Sequence, residues 1–123
     1  MLSHLSFGVA DLAKAGAFYD AALQPLGYVR VWEGEHGIGY GAPGGNDKLA
    51  LFAQERPTSP PSPGFHLALI APSRSAVDAF HAAALRMGGR DDGAPGPRPD
   101  YSSTYYAAFA IDPDGYKLEA VHQ

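Results

Sequence analysis

The chain has 123 residues, 46% of them hydrophobic and 18% charged, which suits one domain with a core of its own. A net charge of −4 with no basic cluster argues against nucleic acid or an anionic membrane surface as a partner. With no cysteine, disulfides, thiolate chemistry and cysteine-ligated zinc are excluded.

In chain order, residues 2–9 alternate, with Leu5, Phe7 and Val9 on one face and His4, Ser6 and Gly8 on the other, which predicts a strand. Asp11 is placed as an N-cap. Leu12, Ala15, Phe18, Tyr19, Ala22 and Leu23 then recur at helical spacing, and Pro25 and Gly27 end the helix. Short strands are expected at 28–32, 38–41 and 48–52, the last two joined by the turn formers Pro43-Gly44-Gly45-Asn46-Asp47. Residues 55–64 carry four prolines and read as an exposed linker. Beyond it come a strand at 65–71 and a helix capped by Ser73, with Val77, Phe80, Ala84 and Leu85 in one stripe and Gly88-Gly89 at its end. Residues 90–101 read as irregular, followed by strands at 105–111 and 116–121 around an Asp112-Pro113-Asp114-Gly115 turn. No segment nears the ~20 apolar residues of a membrane span. The N-terminus has no basic region followed by a long apolar run, so the cytoplasm is the expected location.

The two halves repeat. His4-Leu5 returns as His66-Leu67, and at the same offset Phe18 matches Phe80, Ala22 matches Ala84 and Gly27 matches Gly89. Such duplication dictates architecture. It predicts one domain over residues 1–123, built of a module 1–54, the linker 55–64 and a module 65–123. It also places His4 and His66 at equivalent points, where a pseudo-two-fold would bring them face to face. Glu119, on the last strand, completes two imidazoles and a carboxylate. That donor set suits a divalent ion (Zn, Ni, Co, Mn or Fe) with positions left open for water and substrate. His81 is expected to pack, His122 to be solvated and His36 to lie in a loop. Among the aromatics, Tyr40 and Tyr105 are candidates for a substrate cleft. Arg98, in a loop stiffened by Pro97 and Pro99, is a candidate for holding a carboxylate or phosphate.

The opening His4-Leu5, then Val9-Ala10-Asp11-Leu12 and Phe18-Tyr19, resembles the start of the glyoxalase / bleomycin-resistance / extradiol-dioxygenase superfamily, the vicinal oxygen chelate proteins. The ending from Asp112 to Glu119 resembles that superfamily's C-terminal signature. The resemblance implies an α+β fold: two tandem βαβββ modules forming a curved, partly open mixed sheet around a central cleft. It implies His4, His66 and Glu119 as metal ligands, Glu119 also as a catalytic group, and a homodimer, in which modules are sometimes exchanged between chains. Aligning residues 47–51 with 115–119 puts Leu51 at the fourth ligand position, where glyoxalase I-like members carry a carboxylate. Three ligands instead resemble the fosfomycin-modifying and extradiol-type members. The implied activity is a metal-dependent lyase or isomerase acting on a small oxygenated substrate. The alternatives are a metal-free drug-sequestering protein of the bleomycin-resistance type and a non-haem iron dioxygenase.

Overall fold

The computed structural model describes residues 1–123. In the first half, strand β1 (Leu5–Val9) leads to helix α1 (Leu12–Leu23), a 3-10 turn (Gln24–Leu26) and strands β2 (Val29–Glu33), β3 (Gly37–Gly41) and β4 (Leu49–Ala53). The second half repeats this as β5 (Leu67–Ile70), α2 (Arg74–Arg86), β6 (Arg90–Pro97), β7 (Tyr106–Ile111) and β8 (Lys117–His122). Each half is a four-stranded mixed sheet, ordered β1-β4-β3-β2 and β5-β8-β7-β6. This is the expected α+β pair of βαβββ units. Within each sheet the first and last strands run parallel and the other pairs antiparallel. No strand or helix forms between β4 and β5, where the prolines lie. No helix is long and apolar enough to cross a membrane.

Local chemistry explains the elements. Asp11 accepts from the Lys14 N–H (3.0 Å) and Ser73 from the Ala76 N–H (3.1 Å), satisfying donors that open the two helices. Gly27, at φ 88°, takes the left-handed conformation that lets the chain leave the 3-10 turn for β2. Strand β6 takes up residues 90–97 of the stretch expected to be irregular, and 98–101 remain outside any strand or helix. It is an edge strand bonded only to β7, and its register shifts between Asp91 and Gly93 and again before Gly96. An edge position and bulges are what allow Pro95 and Pro97 to sit in a sheet.

One hydrophobic cluster spans both halves, with Phe18 and Leu51 from the first and Phe80 and Leu118 from the second. The helices α1 and α2 pack against each other, and the Phe7 ring stacks on Tyr116 at 4.0 Å. The Asp112–Gly115 turn adds a polar tie between the halves. Asp112 Oδ1 accepts from the N–H groups of Asp114 (2.9 Å) and Tyr116 (2.8 Å). Its Oδ2 accepts from the Tyr19 hydroxyl of α1 (2.5 Å). Asp114 in turn accepts from the Ala10 N–H (2.8 Å), and the Tyr116 hydroxyl donates to the Gly8 carbonyl (2.9 Å). Burial pushes the Asp112 carboxyl above its ordinary pKa and that of the Tyr19 phenol, which also faces the Asp112 charge, well above its own.

Candidate functional site

The second sheet presents a cleft of about 660 Å³ on the face opposite its helix. Strand alternation builds it. On β8, Lys117 and Glu119 share one face, and beside it Phe109 of β7 and Tyr105, one residue ahead of that strand, do the same, with Phe109 paired to Glu119 in register. His66, one residue ahead of β5, falls on this face because Ala68 pairs with Glu119 across the parallel ladder. His66 Nε2 donates to Glu119 Oε1 (2.9 Å), and the Tyr105 hydroxyl donates to Glu119 Oε2 (2.5 Å). Both oxygens of a carboxylate only 2% exposed are therefore engaged, as a buried charge requires. Burial first, then the Glu119 carboxylate, pushes the Tyr105 phenol up to about 12. It stays a proton donor throughout the neutral range.

The rest of the lining is cationic and aromatic. The Lys117 ammonium and the Arg98 guanidinium lie 5.1 and 5.7 Å from the centre of the Phe109 ring. Arg98 is held by its own loop, with its N–H bonded to the Tyr105 carbonyl (2.8 Å). Tyr101 meets Tyr105 edge-on at 5.0 Å. Asp92 on the bulged β6 pairs with Lys117 at 3.0 Å. Lys117, Phe109 and Asp92 were not among the sequence candidates. Counting two residues back from Glu119 and four on from Tyr105 would have found the first two. Asp92 depends on a bulge that composition does not reveal.

Of the residues singled out from sequence, His66, Glu119, Arg98 and Tyr105 thus come together. His4 does not join them within one chain. It precedes β1, is exposed, and lines a separate groove with Leu2, Tyr28, Lys48 and Ile70. No group of three or more His, Asp or Glu side chains is placed to hold a metal ion. His66 and Glu119 do supply one imidazole and one carboxylate converging on one point. That fits the nitrogen and oxygen donor set of a divalent ion but supplies two ligands of it. Tyr40 lies away from the cleft. Its side chain points from β3 into α1, where the hydroxyl donates to Asp20 (2.8 Å) and lies 3.1 Å from the Gly16 carbonyl. Its phenol is raised by burial and then by Asp20.

The position equivalent to Glu119 is Ala50, not Leu51. Leu5 pairs with Leu49 as Leu67 pairs with Leu118, so Ala50 and Glu119 occupy matching places. Leu51 faces the core and is fully buried. The first half still carries no carboxylate there. Its open face instead bears Trp32 and Phe52, 5.8 Å apart and partly exposed. Among the other histidines, His81 is buried and bonded to Asp91 (2.9 Å), and His36 is exposed. His122 is half-buried, with Nδ1 3.1 Å from the Ala71 carbonyl.

A model of the Glyoxalase/Bleomycin resistance protein/Dioxygenase superfamily matches residues 1–120. Among solved structures, a glyoxalase/bleomycin resistance protein from Albidiferax ferrireducens T118 is 33% identical, with 100% of this chain and 98% of that one covered and a TM-score of 0.86. A putative glyoxalase from Bacillus halodurans is 28% identical over 98% of this chain and 94% of that one, TM-score 0.71. The fosfomycin resistance protein FosX from Mesorhizobium loti shares the fold at 17% identity, covering 100% of this chain and 92% of that one, TM-score 0.71. No curated protein matches.

Proposed function

Because the chain belongs to the glyoxalase/bleomycin resistance protein/dioxygenase superfamily, we propose that it is a metal-dependent lyase or isomerase acting on a small oxygenated substrate. The observation that carries this reading is the His66–Glu119 pair, joined at 2.9 Å at the base of a cleft and with both carboxylate oxygens engaged. A buried carboxylate beside an imidazole in a cleft is a functional-site candidate, and the two supply donors that a divalent ion takes. His66 and Glu119 would hold the ion, and His4 of a second copy would supply the third ligand in a homodimer. Three features support a second copy: His4 is exposed, the two sheets do not join within the chain, and Trp32 and Phe52 leave an apolar face half-open.

When bound, a divalent ion supplies Lewis acidity toward paired substrate oxygens. The chain's own groups do the rest. Tyr105, protonated, donates a hydrogen bond and fixes the Glu119 carboxylate. Phe109 and Tyr101 wall the cleft with apolar surface. Glu119, once released from Tyr105, is the available proton acceptor.

The Trp32–Phe52 pair also favours a second reading, a binding protein that holds a planar ligand without a metal. Elemental analysis separates the two. The enzyme reading expects about one ion per chain, lost in His66→Ala and Glu119→Ala. It also expects His4→Ala to lose the ion and to regain it when mixed under exchange conditions with Glu119→Ala, which rebuilds one intact site per dimer. Wild-type protein that takes up no ion after reconstitution would refute it. An unaltered ion content in His4→Ala would refute the contribution from a second copy.

A further inference from the structure

The cleft carries one guanidinium that no carboxylate touches. The Arg98 guanidinium donates from Nη2 to the Ala94 carbonyl (2.8 Å) and from Nη1 to the Pro97 carbonyl (3.4 Å). It is absent from every ion pair in the molecule. Two backbone carbonyls therefore hold it in place without neutralising it, and three of its five N–H groups remain for a ligand. The other full cation of the cleft, Lys117, is already paired with Asp92 at 3.0 Å. Glu119 accepts from His66 and Tyr105 and makes no contact with Arg98. Lys117 and Asp92 satisfy each other, and Arg98 is the cation of the cleft without a paired acid.

Arg98, Lys117 and His66 all gather around Phe109, at 5.7, 5.1 and 6.0 Å from its ring centre. A ligand resting beside that ring lies within reach of both the guanidinium and the His66–Glu119 pair. Taking His66 and Glu119 as the reactive end, as in the function proposed above, we propose that Arg98 anchors a carboxylate monoanion at the opposite end of the substrate. The planar fork of a guanidinium matches a carboxylate in two parallel bonds. A phosphate or phosphonate dianion is disfavoured, because the second cation of the cleft, Lys117, is already paired with Asp92. Between the two ends, Phe109 and the Tyr101–Tyr105 pair offer apolar walls for a carbon body.

Three probes with one ring in common test this: benzoate, benzamide and phenylphosphonate. Each is titrated calorimetrically, at mildly alkaline pH and low salt, into chelator-treated protein and into metal-reconstituted protein whose ion content is measured. Benzoate is expected to bind about tenfold or more tighter than benzamide, the weight of one charge-assisted bond pair, and tighter than phenylphosphonate. Arg98→Gln removes the benzoate advantage and leaves benzamide unchanged. Asp92→Asn frees Lys117 and strengthens phenylphosphonate more than benzoate. Arg98→Gln binding benzoate as the wild type does, or phenylphosphonate binding tightest to the wild type, would overturn the proposal. Benzoate selectivity persisting in protein that never takes up an ion would leave Arg98's role standing and remove the metal reading. Metal-loaded protein indifferent to Arg98→Gln would do the reverse.

Discussion

Replacing Tyr19 by Phe removes one oxygen and nothing else, at the point where α1 meets the Asp112 turn. Asp112 is 3% exposed and accepts three hydrogen bonds, two from backbone N–H groups and one from Tyr19. Losing one bond to a buried charged acceptor, with that acceptor left behind, costs about 1.5–3 kcal/mol. The backbone bonds survive, so about 2 kcal/mol is the expectation at neutral pH. The pH dependence follows from the direction of the Asp112 shift. Burial raises its folded pKa, so the protonated form is favoured in the native state, and that contribution is lost as pH rises through the folded value. Above it, Tyr19 offsets part of the cost of burying an ionised carboxylate. Below it, the bond joins two neutral groups and is worth about 0.5–1.5 kcal/mol. Urea unfolding of wild type and Tyr19→Phe at neutral and at acid pH measures both numbers. A cost under about 0.5 kcal/mol at neutral pH, or one that does not shrink on acidification, would refute the reasoning.

The raised phenols of Tyr19, Tyr40 and Tyr105 make the fold alkali-sensitive: their contribution is present below pH ~10 and declines as pH climbs, because the unfolded chain ionises first. A urea midpoint constant from pH ~9 to ~11 would contradict this. Gly39→Ala puts a methyl group inside the space of the Trp32 indole, which must swing off the sheet. The expected cost is about 1 kcal/mol, the low end for overpacking because β2 is an edge strand, with a red shift in the emission of the only tryptophan. His81→Ala opens a buried site and leaves Asp91 with one donor, the Gly93 N–H. It should lower the thermal melting temperature, chiefly through the space left by the buried ring, and weaken whatever binds beside Gly93.

The features most legible in sequence were those written as repeats or turns. The His4/His66 duplication and the caps Asp11 and Ser73 rest on local spacing, and local spacing survives folding. The Asp112–Gly115 turn was equally plain. Strand β6 was not, because its prolines and glycines read as loop until an edge position and bulges are known. Composition alone does not say which face of β3 is wet, so an aromatic such as Tyr40 reads as a cleft residue until the structure turns it into α1. Counting back from the two turns matches Leu51 with Glu119, but the turns differ in length, and only the ladder register moves that equivalence to Ala50. Whether two histidines from matching strands meet depends on how the two halves pack, which no spacing encodes.

The tie across the halves has a consequence for how the molecule comes apart. Phe7 rests on Tyr116, Ala10 and Gly8 are bonded to the Asp112–Tyr116 segment, and a single core cluster runs through both sheets. Neither duplicate can open without stripping the apolar face of the other. Native-state hydrogen exchange should therefore find β1, β4, β5 and β8 protected to one common free energy, as a single cooperative unit, despite the ancestry of the chain as two.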